Sequence, residues 1–206
     1  MVLEIKSFRP NKLSAIALLT LAVEIHDPFV WYAPDSTPED ILERIRGNGD
    51  SYLDVAYVQG KPVGFNTYYV KTVDGSRICY IAGISVLPSA RGKGVSSSFI
   101  HLALGQCSAD YLAGRTQNPI IYKLLRSFST RGVAYPGAVV TPDVYEIASA
   151  VNESGDVDPQ SLAVRDAHTF VRADRSFMKV DDDPEIAELF SKLGRDDGYV
   201  VVVPLN

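Results

Sequence analysis

Residues 84–104 read ISVLPSARGKGVSSSFIHLAL, and the order of residue types in this stretch decides the fold. The run IAGISVL at 81–87 has the composition of a buried or half-buried strand. Pro88 has no amide hydrogen to give to a ladder, so the strand ends there. Arg91, Gly92, Lys93 and Gly94 make a flexible cationic turn. Phe99, Ile100, Leu102, Ala103 and Leu104 then recur at helical spacing, which predicts a helix over about 94–109. The turn therefore sits at a helix N-terminus, where the first amides have no intrahelical acceptor and the dipole favours negative charge. Glycine opens the backbone conformations such a turn needs and lets a ligand come close. Ser96, Ser97 and Ser98 add hydroxyl donors. A strand, a glycine-bearing basic turn and a helix, in that order, form a seat for a phosphate or pyrophosphate. Two glycines in a bare strand–turn–helix are more often an ordinary loop with solvated Arg91 and Lys93, so the surroundings must decide. Neither G-x-x-x-x-G-K-S/T nor G-x-G-x-x-G is present, so the seat belongs to another class.

Upstream, VLEIKSF at 2–8 alternates apolar and polar residues and predicts a first strand. Asn11 is placed to cap a helix over about 12–25, whose two apolar stripes predict burial on most sides. HDPFVWYAPD at 26–35 reads as an aromatic-rich loop. Thr37 and Pro38 open a second helix that Gly47 and Gly49 end. SYLDVAYVQG is a strand, Gly60-Lys61 a tight turn, PVGFNTYYVKTV its hairpin partner, and DGS at 74–76 a second hairpin turn into RICYIAGISV. Downstream, YLAGRT at 111–116 is a short strand and NPIIYKLLRSFS a helix with Pro119 in its first turn. GVAYPGAVV is irregular or a strand, TPDVYEIASAV a helix, and AVRDAHTFVRA at 163–173 a candidate strand. Asp183 caps a helix in DPEIAELFSKLG, and DGYVVVVPL is a final strand. The order is β-α-α-β-β-β-α-β-α, then additions, then a last β. No repeat shows, and no linker forces two domains.

The chain has 206 residues, enough for one domain with a full core and an elaboration. Its net charge of -5, with no basic stripe, argues against a nucleic-acid partner and fits a cationic amine weakly. Cys79 and Cys107 are the only cysteines, too few for a disulfide framework or a zinc site. His26, His101 and His168 show no ligand spacing, so no metal is expected. No apolar run is long enough to span a membrane and no signal peptide is evident, so the expected location is the cytoplasm.

Element order and turn together resemble the GNAT superfamily of N-acyltransferases. That family's signature is Arg/Gln-x-x-Gly-x-Gly/Ala after the fourth strand, commonly behind Val-x-Pro. Here Val86, Leu87 and Pro88 match Val-x-Pro, and Arg91, Gly94 and Ser96 fall on the signature positions. Ser96 departs from Gly/Ala but is small. The resemblance covers residues 1–130 and picks up again at the final strand. It implies an α+β three-layer GNAT fold: a central mixed sheet of about six to seven strands, splayed at the coenzyme site, with helices on both faces. It also implies a single acyltransferase domain over 1–206, elaborated at about 136–183 on the acceptor side or at a dimer contact, in a monomer or homodimer.

The resemblance further implies acetyl-CoA as co-substrate. Its pyrophosphate would lie on the backbone of Arg91, Gly92, Lys93, Gly94, Val95, Ser96 and Ser97. Its pantetheine arm would run against the main chain of Ile84, Ser85 and Val86, in the manner of an added strand. Asn118 stands where the family often contacts that arm, although a plain helix cap explains it equally well. Tyr122 stands near where a tyrosine often protonates the leaving thiolate, earlier than the common spacing, and a packing role is as good a reading. Many members carry a Glu where this chain has Tyr80, and a phenol is a poor base at neutral pH. Glu24, His26 and Asp27 are further candidates for the base. Phe29, Trp31 and Tyr32 are expected to wall an organic amine, or to fold onto the core. The implied activity is transfer of acetyl to a primary amine of a small molecule or peptide by direct attack in a ternary complex. The alternative is a coenzyme-A-binding module of the same fold without turnover.

Overall fold

The computed structural model describes residues 3–46, 51–152, 156–167 and 183–205, apart from the side chain of Tyr32. Gly47, Gly49, His168 and most of the 163–173 candidate strand lie outside the described residues. Seven strands form one sheet in the order β1-β2-β3-β4-β5-β7-β6, the upper end of the expected six to seven. The chain divides into two compact units, Met1–Val70 with Ile81–Gln106 and Lys71–Tyr80 with Cys107–Asn206.

The first unit holds β1 (Leu3–Phe8), α1 (Ala15–Glu24), α2 (His26–Tyr32), α3 (Pro38–Arg46), β2 (Ser51–Val58), most of β3 (Lys61–Val73), the end of β4 (Ser76–Val86) and nearly all of α4 (Val95–Cys107). β1 and β3 pair antiparallel with β2 on either side. Successive strand residues point to opposite faces. Leu53, Val55 and Tyr57 accordingly pack with Leu21 of α1, Ile25 at the break between α1 and α2, and Ile41 of α3. Ala56 packs on the other face with Val86, Val95 and Phe99. Helices therefore cover both sides of β2.

Both hairpin turns have two central residues at positive φ, Gln59 (52°) with Gly60 (74°) and Asp74 (47°) with Gly75 (83°). That is the turn whose twist suits a two-residue hairpin, and the first one lies one residue earlier than Gly60-Lys61. The start of α1 also moves. Pro10–Lys12 forms a 3-10 turn that absorbs Asn11, and Ser14 caps the helix by accepting the Ala17 N–H at 3.2 Å. Only one stripe of α1 is buried, with Leu18, Leu21 and Ala22 inside while Ile16 is 79% and Val23 58% exposed. The second expected stripe has no layer to cover it, because the helix meets the core from one side.

Residues 26–32 are α2, not the expected loop. Asp27 in the first turn complements the helix dipole, and Pro28 near the start is already set at a helical φ. The helix breaks at Ile25, which caps the end of α1 and the start of α2.

The second unit holds β5 (Tyr111–Thr116), α5 (Pro119–Arg126), α6 (Pro142–Val151), β6 (Ala163–Val164), α7 (Pro184–Ser191) and β7 (Gly198–Pro204), with the first part of β4. β7 pairs antiparallel with β5 on one side and β6 on the other. Val200, Val201, Val202 and Val203 are all fully buried, so the valine run needs no alternation: both faces of the strand are covered. Residues 165–167 form a turn after the two-residue β6. Tyr135 joins Val202 through an isolated bridge within an otherwise irregular stretch. Asp183 caps α7 through the amides of Glu185 and Ile186. Cys79 and Cys107 are buried and form no disulfide. No described helix is long and apolar enough to cross a membrane.

Candidate functional site

After β4, Pro88–Ala90 forms a 3-10 turn whose Ala90 is buried, and the chain then enters the basic turn. Gly92 and Gly94 have φ of 71° and 76°, which a side chain tolerates poorly. A Cβ added at either would meet nothing within 4 Å. The backbone conformation thus demands glycine, and the space over both positions is open to a ligand. Val95 fixes the start of α4 by burying its side chain in the core with Phe99. The bond from the Ser98 N–H to the Gly94 carbonyl, 2.9 Å, closes the first turn. Helix geometry leaves the amides of Val95, Ser96 and Ser97 without an intrahelical acceptor. Such a row of amides, with the positive end of a helix dipole, fits a pyrophosphate.

The two cations of the turn behave differently. Lys93 folds back and donates from Nζ to the Ser89 carbonyl at 2.6 Å. Arg91 donates from Nε to the Val86 carbonyl at 3.0 Å, and its guanidinium lies 5.3 Å from the centre of the Trp31 ring. Partial burial lowers its pKa from the ordinary arginine value. Ser85, buried on β4, donates from Oγ to the Pro28 carbonyl at 2.8 Å. The strand and turn expected to hold the coenzyme are therefore tied to α2 at two points. Ile84 is half-buried and Val86 buried, and the Val86 carbonyl already accepts from Arg91. β3 comes very close here: a Cβ on Gly64 would stand 2.7 Å from the Ser85 carbonyl oxygen.

Of the aromatic residues expected to wall an acceptor, Phe29 is 2% exposed and stacks on Phe65 with ring centres 5.2 Å apart. It lies in the core. Trp31 is half-buried and meets Arg91. The side chain of Tyr32 is outside the described residues.

In the second unit, Asn118 caps α5: its Oδ1 accepts from the Ile120 N–H at 2.9 Å, and its own N–H donates to Thr116 Oγ1 at 2.9 Å. Tyr122, one turn on, is buried and donates its hydroxyl to the Pro136 carbonyl at 2.5 Å. The Phe190 ring packs edge-on against it. Burial, the largest cause, raises its pKa above the ordinary tyrosine value. Tyr80 is buried on β4. Among the other candidates for the base, Glu24 interacts with the buried phenol of Tyr57, whose pKa is raised first by burial and then by that carboxylate. Asp27 is exposed beside His26, 3.7 Å away. No cluster of three His, Cys, Asp or Glu that could hold a metal occurs among the described residues.

One polar group escaped the sequence reading. Asp54 is fully buried in β2, where Ser7 Oγ donates to its Oδ1 at 2.6 Å and Gln106 Nε2 donates to Ser7 Oγ at 3.2 Å. Burial pushes its pKa up to about 6, against the hydrogen bond from Ser7 and the nearby Asn66. Asn66 is its register partner on β3. Among the described residues, Asp54 Oδ2 and both polar atoms of the Asn66 side chain have no hydrogen-bond partner. The signal was parity: Asp54 shares its face with Ala56, which a core position explains and a solvated carboxylate does not.

The sequence profile of the Acetyltransferase (GNAT) family matches residues 18–126, more than half of the chain, and the chain belongs to that family. Its class is that of the acetyltransferases. The fold is similar to that of Arabidopsis thaliana Naa50 in complex with the bisubstrate analogue CoA-Ac-MVNAL, at 15% identity over 96% of this chain and 97% of that one, with a TM-score of 0.50. It also resembles a ribosomal-protein-alanine N-acetyltransferase from Brucella melitensis biovar Abortus 2308, at 22% identity over 54% of this chain and 77% of that one, with a TM-score of 0.43. A third likeness is to an IAA acetyltransferase from Bacillus cereus ATCC 14579, at 11% identity over 99% of this chain and 100% of that one, with a TM-score of 0.49. At these identities the likeness is one of fold. No curated protein matches the chain by sequence.

Proposed function

We propose that the chain transfers an acetyl group from acetyl-CoA to a primary amine of a small molecule or peptide, by direct attack of the amine on the thioester in a ternary complex. The observation that carries this reading is the turn at Arg91–Ser96. It has two glycines at positive φ, open space above both, and the start of a thirteen-residue helix immediately after them. The amides from Arg91 to Ser97 take the pyrophosphate, and the backbone of Ile84 to Val86 takes the pantetheine arm. Residues 1–206 act as one catalytic domain. The bond of Tyr122 to Pro136 supports a packing role for that side chain, which hands the proton to water or to Tyr80. Asn118 contributes to the coenzyme through Nδ2, since its Oδ1 is used by the helix.

The commitment of the Tyr122 hydroxyl, with no carboxylate at position 80, favours a second reading: a coenzyme-A-binding module without turnover. One experiment separates the two. Calorimetry measures acetyl-CoA binding, and release of free thiol is followed with polyamines, aminoglycosides, amino acids and peptides as acceptors. Binding with thiol release on any amine supports the transferase. Binding with no release on any of them supports the module. No binding at all removes both.

A further inference from the structure

The guanidinium of Arg91 is held on two sides. Its Nε donates to the Val86 carbonyl at 3.0 Å, and its Cζ lies over the Trp31 ring, 5.3 Å from the centre. A guanidinium carries five N–H donors in a rigid plane. With Nε used, the four on the two terminal nitrogens remain, and the residue stands directly before Gly92 in the turn. Left to itself, an arginine side chain at a surface turn samples many rotamers and loses that freedom when it binds an anion. A ring under the cation and a backbone carbonyl on its Nε remove much of the freedom in advance, and neither contact uses the terminal N–H groups. Trp31 is itself held. It belongs to α2, which is anchored by the stack of Phe29 on Phe65 and by the bond from Ser85 Oγ to the Pro28 carbonyl.

We propose that Trp31 is a positioning residue for the coenzyme: its ring holds the Arg91 guanidinium at the glycine turn, so that the cation meets the pyrophosphate already oriented. This inference rests on the coenzyme reading above. It moves Trp31 from the acceptor wall, where the sequence placed it, to the diphosphate end of the donor. It also makes the single tryptophan of the chain a reporter of donor binding.

The test uses Trp31→Leu and Trp31→Phe in the full-length protein, with acetyl-CoA and S-acetylpantetheine as donors. Acetylpantetheine keeps the thioester and the arm but has no pyrophosphate. Trp31→Leu is expected to raise Kd and KM for acetyl-CoA about fivefold, the size of a partly exposed cation–π contact. It leaves kcat and the KM of acetylpantetheine unchanged, and Trp31→Phe recovers part of the loss. In the wild type, coenzyme A perturbs tryptophan fluorescence and pantetheine does not. An equal loss with both donors would mean a merely structural helix contact and would overturn the proposal. So would an unchanged acetyl-CoA Kd with a raised amine KM, which would return Trp31 to the acceptor. If the wild type binds no acetyl-CoA, the coenzyme reading itself falls. A normal wild-type Kd that Trp31→Leu leaves untouched sinks only the role of Trp31.

Discussion

The strand-to-helix junction after β4 and the one after β5 both carry polar residues, and they use those residues in opposite ways. At 91–97 the conformation is extracted from glycine. The space over the turn is open and the leading amides of α4 have no helical acceptor. At 116–122 the polar atoms serve the fold. Thr116 and Asn118 bond to each other and cap α5, and the Tyr122 hydroxyl reaches Pro136. A binding site needs donors and acceptors that the fold itself does not use. The first junction meets that criterion, whereas the second serves mainly as a joint.

Gly94→Asp strikes the first junction directly. A Cβ at this position meets nothing within 4 Å, but the backbone resists a φ of 76° and a carboxylate would enter the proposed anion seat. Loss of two charge-assisted bonds predicts acetyl-CoA binding weaker by at least ~100-fold. A Gly94→Asp protein that folds and binds acetyl-CoA with the wild-type Kd by calorimetry places the coenzyme elsewhere.

Asp54 probes the same criterion where no ligand is expected. Its Oδ2 and the Asn66 amide are buried without hydrogen-bond partners. Protonation turns Oδ2 into a donor that can serve Asn66 Oδ1. The folded pKa, raised to about 6, lies above the unfolded value. The folded state therefore holds the proton more tightly, and stability is greatest below about pH 4 and falls as pH rises through about 6. The shift corresponds to at most ~3 kcal/mol lost at neutral pH. Asp54→Asn supplies a neutral donor at every pH. It should be more stable than wild type by on the order of 2 kcal/mol at pH 8, with the gain vanishing near pH 4. Urea unfolding at both pH values checks this, and a gain of the same size at both would refute the raised pKa.

Tyr122→Phe tests the joint. It removes a hydroxyl from a buried hydrogen bond and leaves the Pro136 carbonyl without that donor, a loss of about 1 kcal/mol of stability. Turnover should stay within about threefold of wild type, whereas a general acid would cost on the order of 100-fold. A large fall in kcat with unchanged unfolding would show that the hydroxyl leaves Pro136 during the reaction.

The contrast between the junctions was half legible in the sequence. Pro88, Gly92, Gly94 and the helical spacing from Phe99 act through local backbone chemistry, so the first junction could be read from one short stretch. Six of the seven strands were readable for the same reason, from hairpin glycines and from alternation or its absence; of the described residues in the 163–173 candidate only Ala163–Val164 pairs, and 165–167 form a turn. The partners of Tyr122 and Asp54 were not. Pro136 is fourteen residues from Tyr122, and Ser7 is forty-seven from Asp54, and no local pattern encodes such contacts. Helix α2 was missed because its seven residues include aromatics and a proline that also suit a loop. Its place is decided by Phe29 on Phe65 and by Ser85 on Pro28, which only tertiary packing supplies. The exposed stripe on α1 failed for the converse reason: an apolar periodicity states which faces could be buried and does not say how many neighbours there are.

The smallest expected effect sharpens the comparison most finely. Asn118→Asp keeps a side-chain oxygen that can accept the Ile120 N–H, and Asp and Asn cap helices about equally well. Stability should therefore change by no more than ~0.5 kcal/mol, with the added charge at the helix N-terminus slightly favourable. What the substitution removes is Nδ2, the part of the side chain the cap does not need. If the second junction is a joint that also touches the pantetheine arm, KM for acetyl-CoA should rise about fivefold, one lost hydrogen bond, with unfolding unchanged. If KM stays at the wild-type value while Asn118→Ala lowers stability by about 1 kcal/mol, the residue serves the helix alone. The coenzyme would then owe nothing to the side chain at position 118.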